Sequence, residues 1–333
     1  MSDTLVLAGD IGGTKSNLAF FRGAPGAPET LLERSYQNRD FAGLADVVRH
    51  FLAESGLTAT TACFGVAGAV VAGASHLPNL GWQLSENGLA RELGLASVHL
   101  LNDLEANALG IATLPPGQFF TLNPGQPLPG GNQALIAAGT GLGMAMLFDD
   151  GADYRVSASE GGHVDFAPRN EDEVGLLRFL AARHGRVSVE RVVSGRGLAA
   201  IYDFLKDSGM DEPDGLAARL DAAADRAAAI AQTGASGEAA ICVKALELFL
   251  SAYGAAAGNL ALMALATGGL YIGGGIAPKL IDALPKSGFM TAFADKGRFS
   301  GLLDQVPVRV ILEPRTALYG AAAYALRQIG ANS

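Results

Sequence analysis

One local pattern occurs twice in this chain and constrains its fold more than any other feature. An apolar run, a short glycine and threonine turn, and a second strand-like run occur at Leu5–Phe21 and again at Ala134–Phe148. The turns are Gly12–Thr14 and Gly139–Gly143, and β-branched and aromatic residues rather than helical spacing flank them. Each segment is therefore predicted to be a β-hairpin. A hairpin that recurs after about 130 residues predicts duplicated domains.

The remaining apolar patterns predict alternating helices and strands. Phe41–Ser55 has its apolar residues on one helical face, whereas Thr61–Ala67 and Val98–Leu101 are short apolar runs typical of buried strands. This alternation predicts an α/β layered fold. With 333 residues, the chain exceeds the size of a single hydrophobic core, so two domains with a cleft between them are expected.

Proline and glycine suggest where the domains divide. The Pro- and Gly-rich segment Leu114–Gly131 is predicted to cross between domains, and Pro314 begins a closing segment in which Ala317–Ile329 has helical spacing. We therefore predict a small α/β domain of residues 1–113 plus 314–333, and a large α/β domain of residues 114–313.

The uncharged stretch Leu248–Ile276 is long enough to cross a membrane. It is mainly Ala and Gly, however, and Asn259 and the sequence Thr267-Gly268-Gly269 interrupt it. We predict a helix packed on a sheet, followed by a buried strand, rather than a membrane span.

Charge and cysteine content exclude several classes of function. The chain has 24 Lys plus Arg against 33 Asp plus Glu without a basic run, so nucleic acid and anionic membranes are not expected partners. Cys63 and Cys242 both lie in apolar stretches, which predicts neither disulfides nor a cysteine metal cluster and fits a reducing cytoplasm. The run from Met1 to Ala8 shows no targeting signal.

The first turn resembles a phosphate-binding loop. Gly9–Ser16 nearly matches the P-loop pattern, but Thr14 stands where a glycine is required, and a strand-like run follows instead of a helix. A phosphate-binding hairpin is predicted, in which Gly12 and Gly13 let backbone N–H groups approach phosphate oxygens and Asp10 lies near a bound metal. The alternative is an ordinary tight turn.

Two further glycine-rich turns point to a nucleotide. Gly139–Gly143 is a weak signal alone, but paired with the first turn it predicts a second phosphate clamp to which the Thr140 hydroxyl donates. Gly273–Pro278 follows a strand and precedes the helix-like Lys279–Leu284, so its backbone could pass close to adenine or ribose. The alternatives are two unrelated turns and a purely structural strand-to-helix connection.

Polar residues at the end of an apolar strand predict a catalytic group. Asn102 and Asp103 follow Leu100-Leu101. Asp103 would accept a hydroxyl proton during phosphoryl transfer while Asn102 holds the neighbouring hydroxyl. The alternative is that Asp103 is a helix N-cap.

Two carboxylates and an imidazole predict a sugar site. Glu160, His163 and Glu190 lie within about 30 residues of each other and can hydrogen-bond vicinal hydroxyls. A metal-ligand role for His163 is less favoured, because no Cys or His lies nearby at ligand spacing.

Taken in order, these motifs resemble the bacterial glucokinase family of the sugar kinase, actin and heat-shock ATPase fold group. The resemblance covers nearly the whole chain and depends on the following segments: 9–14, 102–103, 139–143, 160–168, 190–195 and 273–278. It implies an α/β, two-domain actin-like ATPase (ribonuclease H-like) fold with a cleft between domains. It also implies ATP-dependent conversion of glucose to glucose 6-phosphate, feeding glycolysis, by a cytoplasmic homodimer that uses ATP and Mg²⁺.

The resemblance implies specific residue roles. Asp103 is the base, and glucose contacts come from Asn102, Asp103, Glu160, His163 and Glu190. Nucleotide contacts come from Gly9, Asp10, Ile11, Gly12, Gly13, Thr14, Gly139, Thr140, Gly141, Gly274 and Gly275. Asn79 and Trp82 match an Asn-x-x-Trp element near the sugar cleft.

The chain also departs from the family pattern. Lys15 stands where Asn is usual, and Leu104 where Phe is common. Asp165–Pro168 replaces the cysteine cluster of the related zinc-containing kinases and repressors, so zinc is not expected.

Two other functions remain open at this point. One is a related kinase for another hexose or an N-acetylhexosamine. The other is a non-catalytic sugar sensor, although only eight residues precede Gly9, too few for the helix-turn-helix of related repressors. The donor could also be another nucleotide or polyphosphate.

Overall fold

The computed structural model describes residues 5–151 and 153–331. The strands are β1 Val6–Ile11, β2 Lys15–Ala24, β3 Ala27–Gln37, β4 Thr61–Val66, β5 Val70–Val71, β6 Ala74–Leu77, β7 Trp82–Ser85, β8 Ser97–Asn102, β9 Phe119–Asn123, β10 Gln133–Ala138, β11 Leu142–Asp149, β12 Tyr154–Ser159, β13 Gly269–Gly273 and β14 Val308–Ile311. The helices are α1 Leu44–Ser55, α2 Glu86–Leu93, α3 Asp103–Ile111, α4 Glu171–His184, α5 Gly195–Asp207, α6 Leu216–Asp221, α7 Arg226–Ala235, α8 Ala240–Ala264, α9 Phe289–Ala294, α10 Ser300–Gln305 and α11 Thr316–Ala331.

Backbone contacts divide the chain into two compact units. Unit 1 comprises residues 1–118 and 313–333, and unit 2 comprises residues 119–312. The domain divisions predicted from sequence fall after residues 113 and 313.

Unit 1 is built around a five-stranded sheet of order β3-β2-β1-β4-β8. β1 pairs antiparallel with β2 and parallel with β4, which pairs parallel with β8. Side chains of successive residues in β1 point to opposite faces of the sheet, as in any β-strand. Leu7 packs in the hydrophobic cluster that includes α1, whereas Val6 and Ala8 pack in the cluster that includes α3 and α11. Both faces of the central strands are therefore buried.

Helices α3 and α11 pack closely because each has a glycine at the contact. A Cβ on Gly320 would lie 1.8 Å from the Ala106 carbonyl oxygen, and one on Gly110 would lie 2.0 Å from the Thr316 carbonyl oxygen. This close packing fixes α3, which begins at Asp103, on unit 1.

Unit 2 repeats the arrangement in a sheet of order β12-β11-β10-β13-β14-β9. β10 pairs antiparallel with β11 and parallel with β13, which pairs parallel with β14. Over five strands, the order and the strand directions match those of unit 1. Both predicted hairpins are confirmed, and the repeat extends to the whole sheet.

The structure also decides the other local predictions. Helix α1, strands β4 and β8, and helix α11 confirm the predicted elements. Leu114–Gly131 is more than a crossing, because β9 lies within it and pairs antiparallel with β14. The aromatic and β-branched run Phe119–Thr121 explains this strand. The predicted helix Lys279–Leu284 is wrong: short 3-10 helices at Ala277–Leu280 and Leu284–Lys286 replace it, and Pro285 cannot continue an α-helix.

Helix α8 contains the long apolar segment. It has the length and composition of a membrane-crossing helix, but 72% of its most apolar window is buried inside the protein. It packs on β10, β11 and β13, and β13 follows it as a fully buried strand. The predicted helix packed on a sheet is confirmed.

Candidate active site

The first turn presents two backbone donors at its tip. The hairpin closes with the pair Ile11 and Ser16, and the Gly12 N–H donates to the Lys15 carbonyl oxygen at 3.0 Å. Gly13 and Thr14 are exposed, and their N–H groups have no hydrogen-bond partner among residues 5–151 and 153–331. Consecutive unpaired N–H groups form an anion-binding concavity.

The residues before this turn have different surroundings. Gly9 is buried in the sheet, where a Cβ would lie 2.6 Å from Phe64 Cδ1, and the Ile11 side chain is fully buried. Any phosphate contact by Gly9 or Ile11 would therefore use the backbone. The structure gives Gly9 a packing role that the motif did not reveal.

Asp10 is a partly buried carboxylate at the end of β1. Burial raises the pKa of this carboxyl above its ordinary value, and the Asn17 amide and the Lys15 charge partly offset the shift. The Asn17 Nδ2 to Asp10 Oδ2 distance is 3.5 Å. Asn79, from the Asn-x-x-Trp element, also lies near this turn, with Nδ2 4.0 Å from the position of a Cβ on Gly13.

Asn102, not Asp103, is the N-cap of α3. Asn102 has extended backbone angles, its Oδ1 accepts the Leu104 N–H at 2.9 Å, and its Nδ2 donates to the Gly68 carbonyl oxygen at 3.1 Å. Asp103 is the first helical residue and also accepts the Leu104 N–H through Oδ1 at 2.9 Å. The helix N-terminus stabilises a negative charge at this position. The interpretation of Asp103 as the cap is therefore wrong.

The second turn repeats the pattern of the first. Gly139 N–H donates to the Gly141 carbonyl oxygen at 2.8 Å, and the Gly139 carbonyl oxygen accepts the Gly195 N–H at 2.9 Å. The N–H groups of Thr140 and Gly141 have no hydrogen-bond partner within the described part of the chain. A second pair of consecutive donors thus lies at the tip of β10 and β11.

Glu190 is directly connected to the second turn. Its Oε2 accepts the Leu142 N–H at 2.9 Å, and a Cβ on Gly141 would lie 2.6 Å from the same oxygen. Sequence reasoning assigned Glu190 to a sugar and Gly141 to a nucleotide, and the structure brings the two together.

Glu160 and His163 lie close together in the loop after β12. Glu160 precedes the 3-10 helix Gly161–His163, and His163 is its last residue. Both side chains are exposed, and Glu160 Oε2 is 3.9 Å from His163 Nε2. Gly162 packs against the start of β11, where a Cβ would lie 2.0 Å from the Leu142 carbonyl oxygen. Leu142 thus links this loop to Glu190. Among residues 5–151 and 153–331, no group of three His, Cys, Asp or Glu could hold a metal ion.

The third glycine turn packs against β10 at the residue next to the second turn, Ala138. Gly274 has a φ of 78°, and a Cβ there would lie 2.3 Å from the Ala138 carbonyl oxygen, which also accepts the Ile276 N–H at 3.3 Å. Gly275 has open space around it. The nucleotide residues that sequence predicts in unit 2 therefore form one cluster.

Comparison with known proteins decides the family. A family model described as Glucokinase matches residues 7–328. The chain belongs to the glucokinase family. The glucokinase of Trichormus variabilis is 43% identical, with 97% of this chain and 99% of that protein covered. The family predicted from sequence is confirmed.

Solved glucokinases have the same fold. The glucokinase of an Antarctic psychrotroph matches with a TM-score of 0.85 and 32% identity, covering 97% of this chain and 99% of the other. A ROK family glucokinase from Streptomyces griseus, determined with glucose and AMPPNP, matches with a TM-score of 0.66 and 20% identity, covering 97% and 99%. The predicted actin-like ATPase fold class is confirmed.

Proposed function

We propose that this member of the glucokinase family transfers the γ-phosphoryl group of ATP to the 6-hydroxyl of glucose. The proposal depends mainly on the two turns, each of which has two N–H groups at its tip without a partner in the described part of the chain, together with the carboxylate at the start of α3. Two anion-binding turns fit a polyphosphate donor, and the carboxylate fits a proton acceptor. Relatives named glucokinase match this chain over nearly their whole length, which supports glucose as the acceptor.

We assign the proton transfer to Asp103. Its position as the first residue of α3 favours the negative charge that a proton acceptor needs, because the helix dipole stabilises an anion there. Asn102 already uses Oδ1 and one Nδ2 hydrogen on the protein. We assign its remaining Nδ2 hydrogen to a sugar hydroxyl.

Specificity for glucose is assigned to unit 2. Glu160 and His163 present exposed polar groups. Glu190 accepts the Leu142 N–H with one carboxylate oxygen, and the other, which has no hydrogen-bond partner among the described residues, would bind a hydroxyl. A site built to hydrogen-bond several hydroxyls rejects sugars that lack one, because its polar groups then remain unpaired.

The donor site is assigned to both turns and to the third glycine turn. Gly13 and Thr14 would bind phosphate oxygens, as would Thr140 and Gly141, while Gly274 and Gly275 would lie against adenine or ribose. The Gly12 N–H, expected from sequence to approach phosphate, donates to the Lys15 carbonyl oxygen instead, so Gly12 would shape the turn rather than bind phosphate. The AMPPNP bound by the Streptomyces griseus relative supports ATP as the donor class.

A divalent cation fits the donor set of the first hairpin. Mg²⁺ is commonly held by one or two carboxylates together with phosphate oxygens and water. Asp10 is a carboxylate at the end of β1, beside the turn. When bound, the metal would neutralise phosphate charge, and Asp10 would hold it directly or through water.

We further propose a cytoplasmic homodimer that supplies glucose 6-phosphate to glycolysis. The family supports this assignment, and the buried free thiols of Cys63 and Cys242 fit a reducing cytoplasm. A kinase for another hexose or an N-acetylhexosamine is the less favoured alternative, because the full-length relatives are glucokinases.

A coupled assay with ATP, Mg²⁺ and a panel of sugars tests the proposal. We expect glucose to be turned over with the highest kcat/KM among glucose, mannose, fructose and N-acetylglucosamine. Asp103→Asn keeps the side-chain size, so kcat should fall by about 10²–10⁴ or more while glucose still binds. A variant that retains kcat within about tenfold of wild type would exclude Asp103 as the base.

A further inference from the structure

Asn38 makes three hydrogen bonds to the first hairpin, two through its side chain and one through its backbone N–H. It follows β3 at the start of the 3-10 helix Asn38–Asp40 and is only 2% exposed. Its Nδ2 donates to the Gly12 carbonyl oxygen at 2.8 Å, and its backbone N–H donates to the Thr14 carbonyl oxygen at 2.9 Å. Its Oδ1 accepts the hydroxyl of the fully buried Ser16 at 2.7 Å.

The bond to Gly12 determines where the Gly13 N–H points. The Gly12 carbonyl and the Gly13 N–H belong to one planar peptide, and in a trans peptide the two groups point in opposite directions. Asn38 is buried and holds the carbonyl. The Gly13 N–H is therefore directed away from Asn38, and without that bond the peptide could rotate and present its carbonyl oxygen instead.

The strand register delivers Asn38 to this position. Lys15 of β2 pairs with Gln37 of β3, so Asn38 is the first residue beyond the ladder, next to the turn. The backbone carbonyl oxygen of Asn38 accepts the Phe41 N–H at 3.2 Å. The side-chain Oδ1 and Nδ2 both bond to the first hairpin, through Ser16 and Gly12.

We propose that Asn38 is a positioning residue for the donor site, which holds the Gly12–Thr14 turn in the conformation that binds nucleotide phosphate. The proposal rests on the function proposed above for that turn. Asn38 touches no substrate in this role, and its effect reaches the phosphate through the peptide between Gly12 and Gly13.

Steady-state kinetics of Asn38→Ala test the proposal. The KM for ATP should rise at least about tenfold, while the KM for glucose stays within about twofold, because a buried amide that orients a phosphate donor is lost. ADP and adenosine, used as inhibitors competitive with ATP, separate positioning from general damage. The inhibition constant of ADP should rise with the KM for ATP, and that of adenosine, which has no phosphate, should not change.

A matched control is Asn123→Ala in unit 2. Asn123 Nδ2 also donates to backbone carbonyl oxygens, those of Asp304 at 3.0 Å and Val306 at 2.8 Å. Asn123 pairs with Val308 at the end of the sheet where β10 and β13 begin, opposite the glycine turns. This variant should leave both KM values unchanged. Equal losses of ADP and adenosine binding in Asn38→Ala, or kinetics like those of Asn123→Ala, would overturn the proposal.

A smaller change keeps the test decisive if Asn38→Ala does not fold. Ser16→Ala removes one of the three bonds and should raise the KM for ATP about two- to fivefold. Ser97→Ala removes the bond from Ser97 Oγ to Thr61 Oγ1 at the opposite end of the same sheet and should leave that KM unchanged. Identical KM values for the two serine variants would refute the role of Asn38. Failure of the wild-type chain to phosphorylate glucose would instead refute the proposed function.

Discussion

The two hairpin turns both present backbone N–H groups at their tips, but different groups hold them in that conformation. In each, a donor from another segment holds the carbonyl of the first glycine, so the next N–H points outward: the Asn38 amide holds Gly12, and the Gly195 N–H holds Gly139. The second turn has an additional partner, because the Glu190 carboxylate holds the Leu142 N–H. The first turn is thus supported by the buried Asn38 amide, and the second by the Glu190 carboxylate, which is also assigned to sugar binding.

This difference separates the two units functionally. In unit 1, the side chains that support the turn and those that place Asp103 are distinct, since Asn38 serves the turn and Asn102 caps α3. In unit 2, Glu190 both supports the second turn and is assigned to the sugar. Substitutions in unit 1 should therefore affect ATP affinity or catalysis separately, whereas a substitution of Glu190 should affect both substrates.

Among substitutions that compare the two turns, the largest effect is expected from Glu190→Ala, which removes the acceptor for the Leu142 N–H. Because a hydrogen bond to a charged group is lost, we expect the KM for ATP and that for glucose to rise about tenfold or more each. Glu190→Gln keeps an oxygen for Leu142 and should raise mainly the KM for glucose. Steady-state kinetics with each substrate varied in turn give both constants.

Glu160→Ala is the matched control, because the exposed Glu160 carboxylate makes no hydrogen bond to the turn within the described residues. It should raise the KM for glucose alone. An unchanged KM for ATP in Glu190→Ala would remove the distinction between the two turns.

An intermediate effect is expected from adding a single methyl group to each turn. A Cβ on Gly141 would lie 2.6 Å from Glu190 Oε2, the end of a flexible side chain, so Gly141→Ala should displace that carboxylate without unfolding the protein. We expect both KM values to rise about fivefold at nearly constant Tm.

Gly13→Ala is the corresponding change in the first turn, where the nearest atom is Asn79 Nδ2 at 4.0 Å. Its KM for glucose should stay within about twofold of wild type, because the added methyl group displaces no group assigned to the sugar, whereas its KM for ATP should rise, because the methyl group lies beside the N–H assigned to phosphate. Equal effects at Gly141 and Gly13 would show that Glu190 does not distinguish the turns.

Sequence predicted the features that are encoded locally. A glycine turn between two strand-like runs is a short-range signal, so both hairpins were predicted, and the end of β8 was recognised from its apolar run. The supports could not be predicted in this way. Asn38 lies 26 residues from Gly12, and Glu190 lies 48 residues from Leu142, so only the folded register brings them together.

Packing gives some glycines of these motifs a role that motif matching alone does not reveal. Gly9 belongs to the phosphate motif, yet the structure shows that a side chain there would meet Phe64 and Leu18 inside the sheet. In the same way, the structure accounts for Gly141 by the space that Glu190 occupies. A glycine in a motif can be required by a neighbouring side chain rather than by the ligand.

The smallest effect is expected at Asp10, the carboxylate beside the first turn, which has no counterpart in the second, where Ala137 occupies the matching strand position. Burial raises the pKa of Asp10 in the folded protein, so ionisation there disfavours folding, and this loss of stability grows as the pH rises through the folded pKa. Asp10→Asn removes the charge and keeps the size, so its Tm should exceed that of wild type at neutral pH. The difference should shrink as the pH falls toward the ordinary value of 3.8, where wild-type Asp10 becomes protonated in both states. Thermal unfolding of both proteins without nucleotide or Mg²⁺, followed across this pH range, measures the difference. A Tm difference that stays constant with pH would mean that the Asp10 charge does not destabilise the fold, and that nothing in the folded protein opposes its ionisation.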